Sequence, residues 1–178
     1  MKGIIFAEFL ELVEDTFGLD VCQKMLDENQ NDGIYTSVGT YDHKDLINLI
    51  ITLSKLTGVS AEELQRIYGK SVFNTLYKSL PGLEGKADST FSFIKSVEEY
   101  IHIEVKKLYP SANPPTFNFI SATKTQLVMD YLSARCMSHV CLGLIQGCAD
   151  HFAENIDIQM DSLNTEQSQV RFTITRLD

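Results

Sequence analysis

Thr116-Phe117-Asn118-Phe119-Ile120-Ser121, then Thr123-Lys124-Thr125, then Gln126-Leu127-Val128-Met129-Asp130-Tyr131: two runs rich in aromatic and β-branched residues flank a short polar turn, which predicts a strand pair. Pro114-Pro115, just ahead, forbids a helix and feeds extended backbone into the first run. A helix is predicted over about Cys136 to Phe152. Beyond it, Ile156 to Met160 and Gln169 to Thr175 alternate apolar and polar residues and read as a second strand pair.

Upstream, the chain reads as helices. Ile5, Phe6, Phe9, Leu10, Leu12 and Val13 form a broad helical stripe over Ile4 to Phe17, and Gly18 stops it. A short helix follows over Asp20 to Glu28, then a turn at Asp32-Gly33 and a loop or brief extended piece over Ile34 to Tyr41. Asp42 is placed to cap a helix through Leu56. Ser60-Ala61-Glu62-Glu63 is a capping-box sequence that starts a helix to about Tyr68, with Gly69 marking a boundary before another helix reaching Ser79. Pro81-Gly82 and Gly85 mark a loop. The longest helix is predicted from Asp88-Ser89 to about Leu108, since Phe91, Ile94, Val97, Ile101, Val105 and Leu108 recur at spacings of three and four. Helices followed by strand pair, helix and strand pair predict an α+β fold with an antiparallel sheet.

The 178 residues suit one domain with a sizeable core. A formal net charge of −9 argues against nucleic-acid and anionic-membrane partners, since both surfaces repel it. Leu46 to Leu56 is too short and too polar to span a membrane. The apolar start of the chain is interrupted by Glu8, Glu11, Glu14 and Asp15, unlike a signal peptide. A cytoplasmic protein with reduced Cys22, Cys136, Cys141 and Cys148 is expected.

Tyr131-Leu132-Ser133-Ala134-Arg135 offers a phenol, a hydroxyl and a guanidinium at every second residue. In extended backbone these share a face and suit one or two carboxylates. An amphiphilic ligand with an acidic end, such as haem with its propionates, fits that pattern; exposed polar residues at a strand end are the plain alternative. His102 lies at the edge of the longest helix's apolar stripe, where an ordinary partly buried histidine competes with a metal ligand. Cys136, His139, Cys141, Cys148 and His151 cluster within one helix but lack the tight knuckle spacing of structural zinc. No phosphate-cradling glycine loop, nucleophile elbow or His-Glu-x-x-His is present, and nothing points to an enzyme.

Taken in order, His102 through Tyr109-Pro110, then Pro114-Pro115, then Tyr131-x-Ser133-x-Arg135, then Leu142-Gly143-Leu144-Ile145-x-Gly147, preceded by Met1-Lys2-Gly3-Ile4-Ile5, resemble the haem-nitric oxide/oxygen binding (H-NOX) domains over nearly the whole chain. The resemblance implies a single domain over residues 1–178, with a helical part over about 1–60 and a haem-ligating, sheet-bearing part over about 61–178. It implies b-type haem (iron protoporphyrin IX) with His102 as axial iron ligand. Tyr131, Ser133 and Arg135 are then expected on the propionates, Pro115 and Ile5 against the porphyrin, and Val140 at the gas-binding side. Oxygen-binding members place a tyrosine at the position matched by Val140. Bound oxygen gains from a hydroxyl donor and bound NO gains little, so NO and CO binding with poor oxygen binding is expected. Tyr68 and Tyr77 are the other hydroxyls whose placement decides this.

The resemblance further implies a sensor that signals by a conformational change to a separate effector, a histidine kinase or a cyclic-di-GMP synthase or phosphodiesterase. The competing readings are a haem-free or zinc-holding small-ligand binding module and, more weakly, a small haem enzyme.

Overall fold

The computed structural model describes residues 1–79, 87–110 and 112–177, and the side chain of Leu108 lies outside the description. The loop expected at Pro81-Gly82 and Gly85 also falls outside it. Helix α1 (Gly3–Phe17) turns at Gly18, whose φ of 88° suits a residue without a Cβ, into α2 (Leu19–Glu28). Helix α3 (His43–Thr57) is capped as predicted: the Asp42 carboxylate accepts the Lys44 N–H. Phe6, Phe9 and Val13 of α1, Met25 of α2 and Leu46, Leu49 and Leu53 of α3 form one core with Leu64, Tyr68 and Val72 of the next helix.

That helix, α4, runs unbroken over Ala61–Ser79. The boundary expected at Gly69 does not exist. Gly69 is there because α7 (Ser138–His151) packs backbone to backbone against it: a Cβ at Gly69 would lie 2.2 Å from the Val140 carbonyl oxygen, and one at Gly143 would lie 2.1 Å from that of Arg66. The Ser60 hydroxyl accepts the Glu63 N–H, as a capping box requires, but the Glu63 carboxylate turns to Arg66.

The expected longest helix is three pieces: α5 (Thr90–Ser96), a π-helical turn (Val97–Ile101) and α6 (His102–Leu108). Strands β1 (Thr116–Ala122), β2 (Gln126–Leu132), β3 (Ile156–Ser162) and β4 (Gln169–Arg176) form one antiparallel sheet in the order β1-β2-β4-β3. Both predicted hairpins exist, and the β2–β4 pairing joins them. Leu127, Met129 and Tyr131 of β2 and Val170, Phe172 and Ile174 of β4 face α5 and α7 across a second core. The architecture is α+β, as the sequence predicts. Among the described residues no helix is long and apolar enough to cross a membrane.

Candidate functional site

Between the helices and the sheet lies a cavity of about 300 Å³, adjoining an almost wholly apolar lobe of about 190 Å³. Leu76, Val97, His102, Phe117, Cys141 and Leu144 border both. Such volumes and linings are usual for small-molecule and cofactor sites. The seven residues that the family resemblance assigns to a haem site all border the larger chamber: His102, Tyr131, Ser133, Arg135, Pro115, Ile5 and Val140.

His102 enters at the junction of the π-helical turn and α6. π-turns inside helices recur at functional sites. The ring tilts against Phe117, 5.5 Å between centroids, and Phe117 pairs in register with Tyr131 across β1 and β2. Nδ1 lies 2.9 Å from Glu98 Oε2. Burial pushes the imidazole below its ordinary pKa, and Glu98 opposes this only in part. At neutral pH this favours the uncharged ring, for which the contact is a hydrogen bond. With Nδ1–H donated to a carboxylate, Nε2 carries the lone pair; metal-binding histidines are commonly oriented by such a bond on their other nitrogen.

The polar end of the cavity is built differently from the expectation. Extended backbone stops at Leu132, so the alternation does not run through Arg135. A turn follows, with the Arg135 N–H donated to the Ser133 hydroxyl and Cys136 at φ 52°. Tyr131, Ser133 and Arg135 still converge on one chamber, because the turn folds them over its mouth. Burial pushes the Tyr131 phenol up to about 12, although the Ser133 hydroxyl and the Met137 backbone beside its oxygen pull the other way. It remains a neutral donor at any ordinary pH. The Arg135 guanidinium is in no ion pair among the described residues. The amino group of Met1 stands near enough to be repelled by it. One guanidinium and two hydroxyls at one end of the chamber suit an anionic ligand end.

The opposite wall comes from α1, α4 and α7. Val140 and Leu144 of α7 and Val72 and Leu76 of α4 are apolar, and the glycine contacts hold the two helices close. Tyr68 borders the cavity, but its phenol donates to the Ile5 carbonyl at 2.7 Å. Its one hydrogen is spent on α1. Tyr77 borders only the apolar lobe, stacked on Phe73 and tilted against His151.

Sequence reasoning missed Glu98, although its spacing of four from His102 was visible. The zinc reading fails on geometry. Cys141 and Cys148 are buried in packing while Cys136 is exposed, and among the described residues no three His, Cys, Asp or Glu side chains gather to hold a metal ion.

The Haem-NO-binding family profile matches residues 2–160. The Fe(II) unliganded H-NOX protein from K. algicida is 37% identical over 100% of this chain and 97% of its own, with a TM-score of 0.94. An H-NOX protein from S. oneidensis in the Fe(II)NO state is 26% identical over the full length of both chains, TM-score 0.90. The IWP-051-bound H-NOX from Shewanella woodyi, in the Fe(II)CO state, is 35% identical over 99% of this chain and 95% of its own, TM-score 0.83. Comparison with curated proteins gives no match.

Proposed function

Because this chain belongs to the Haem-NO-binding family of H-NOX gas-sensor domains, we propose that it senses NO, and binds CO, at a ferrous b-type haem while binding oxygen poorly. The residues present fit that group. A histidine with Nδ1 tied to Glu98 borders the chamber, and a guanidinium that is in no ion pair among the described residues borders it together with two hydroxyls. On this reading His102 is the axial ligand, and Tyr131, Ser133 and Arg135 hold the propionates. Pro115 and Ile5 would bear on the ring.

When bound, the haem would supply an iron that takes up a diatomic gas, with His102 as the chain's own ligand to it, a bond that NO would loosen. His102 thus has a held and a released state. Held, it fixes α6 against the cavity; released, it frees α5 and α6 to shift relative to α1 and the loop at Pro115. Gas binding biases this two-state equilibrium. The N-terminal helical part, about residues 1–60, moves against the remainder, and a separate effector protein in the cytoplasm reads the shift. That effector is a histidine kinase or a cyclic-di-GMP synthase or phosphodiesterase. The chain turns over no substrate of its own.

Selectivity against oxygen rests on Val140 and Tyr68. Valine has no donor, and the Tyr68 hydroxyl is committed to Ile5. A donor to a charged acceptor is worth about 1.5–3 kcal/mol, and bound oxygen loses that stabilisation here.

The observation that carries the reading is the largely withdrawn His102 ring with Nδ1 tied to Glu98. The purified protein is expected to be red. Its ferrous Soret band should move on addition of NO and of CO, and should show no stable oxygen complex in air. His102→Ala should abolish NO-dependent changes in backbone hydrogen exchange over α1 and α6. A colourless protein that takes up no haem overturns the proposal.

A further inference from the structure

A single carboxylate oxygen joins the helix that bears His102 to the sheet. Glu98 Oε2 accepts His102 Nδ1–H at 2.9 Å and the backbone N–H of Phe117 at 3.1 Å. Glu98 lies in the π-helical turn, one turn ahead of His102. Phe117 lies at the start of β1, two residues past Pro115. Strand β1 is at the edge of the sheet, so this N–H donates to the carboxylate and not to another strand. Both partners are largely withdrawn from water, with 12% of the His102 side chain and 29% of the Glu98 side chain exposed.

We infer that Glu98 is a positioning residue of the haem site, setting the tautomer and donor strength of His102 and linking that ring mechanically to β1. The inference rests on the haem-sensor reading. A carboxylate on Nδ1–H pushes electron density into the ring and makes Nε2 a stronger ligand than an amide acceptor would. A stronger ligand resists release, so Glu98 raises the threshold that NO must cross. The same oxygen carries any movement of the ring into the Phe117 backbone. Displacement of His102 must then lengthen one of two hydrogen bonds: the one to its own ring or the one to the strand beside Pro115.

Two variants separate the two roles. Glu98→Gln keeps an acceptor and removes the charge. Glu98→Ala removes the acceptor too. In the haem-loaded ferrous protein, resonance Raman should show the iron–histidine stretch at lower frequency in both variants. Loss of such outer-shell partners typically costs about 10–100-fold in metal affinity or activity, and a faster haem loss on that scale is expected for Glu98→Ala. In the haem-free protein, nitrogen NMR should find the His102 ring as the Nδ1–H tautomer and should find the Nε2–H form gaining in Glu98→Ala. Exchange of the Phe117 amide should accelerate in Glu98→Ala and stay slow in Glu98→Gln. An unchanged stretch in Glu98→Gln overturns the donor-strength role, even if Glu98→Ala fails to fold. An unchanged Phe117 exchange rate in folded Glu98→Ala overturns the mechanical link. A protein that binds haem with the same iron–histidine band after His102→Gly overturns the underlying sensor reading instead.

Discussion

The Tyr68 phenol donates to the main-chain carbonyl of Ile5 across 63 residues of sequence, at 2.7 Å, and its ring meets Phe9 edge to face. This buried contact fastens α1 to α4 at the wall of the cavity. Tyr68→Phe leaves the shape and removes the bond, so unfolding stability should fall by about 1 kcal/mol. Freed from that anchor, Ile5 should exchange its amide faster in the native protein. Equal denaturation midpoints for the two proteins would show that the bond contributes nothing.

Val140 borders the chamber without a donor. Val140→Tyr introduces one from α7, and a stable ferrous–oxygen absorption spectrum should appear in air where the parent shows none. If the variant binds NO and CO normally yet still no oxygen, the hydroxyl does not reach the bound gas.

Gly143 allows α7 to lie on α4, where a Cβ would meet the Arg66 carbonyl oxygen at 2.1 Å and the Lys70 nitrogen at 2.7 Å. Neither is the flexible end of a side chain. Gly143→Ala should therefore cost about 2–3 kcal/mol in chemical denaturation, and should broaden the Soret band as the wall carrying Val140 and Leu144 moves outward.

Asp130 and Arg171 face each other across β2 and β4, with Nε to Oδ1 at 2.7 Å and a second bond at 2.9 Å. The guanidinium holds the Asp130 carboxyl below its ordinary value of 3.8. Since the folded value is the lower one, the pair's contribution is complete above the unfolded carboxyl's range and disappears as pH falls through the folded value. Asp130→Asn should cost about 0.5–1 kcal/mol at neutral pH, the scale of a partly exposed pair. It should also flatten the acid limb of a stability–pH curve measured in urea.

The four thiols should react very unequally. Cys136 is exposed, whereas Cys22, Cys141 and Cys148 are buried. Burial also pushes the Cys141 thiol up to about 12 and Cys148 higher. Alkylation of native protein, followed by mass spectrometry, should mark Cys136 long before the other three. Comparable labelling of Cys141 would mean that the cavity wall opens in solution.

Local chemistry was legible where a residue's role depends on its own neighbourhood. Asp42 caps, Gly18 turns, the two hairpins form, and the apolar stripes of α1 and α5 face inward. Roles that depend on a distant segment were not legible. Gly69 reads as a break until the Val140 carbonyl is seen against it. Tyr131, Ser133 and Arg135 were expected to converge through strand alternation, and they converge through a turn that no period-two pattern describes. Glu98 reads as one more surface acid unless the π-helical turn and the start of β1 are both known. The partner of the Tyr68 hydroxyl is a backbone atom, which leaves no mark in residue identity.

The wide turn at Val97–Ile101 gives the chain one residue more than a regular helix would use over the same rise. Removing Glu99 or Tyr100 would let the turn close into a regular α-helix, so the side chains beyond it would keep their facing while Glu98 came one residue nearer to the imidazole and lost the spacing of four at which the two now meet. The surplus residue thus sets a separation and not a direction, and a substitution scan, which never alters chain length, would overlook it.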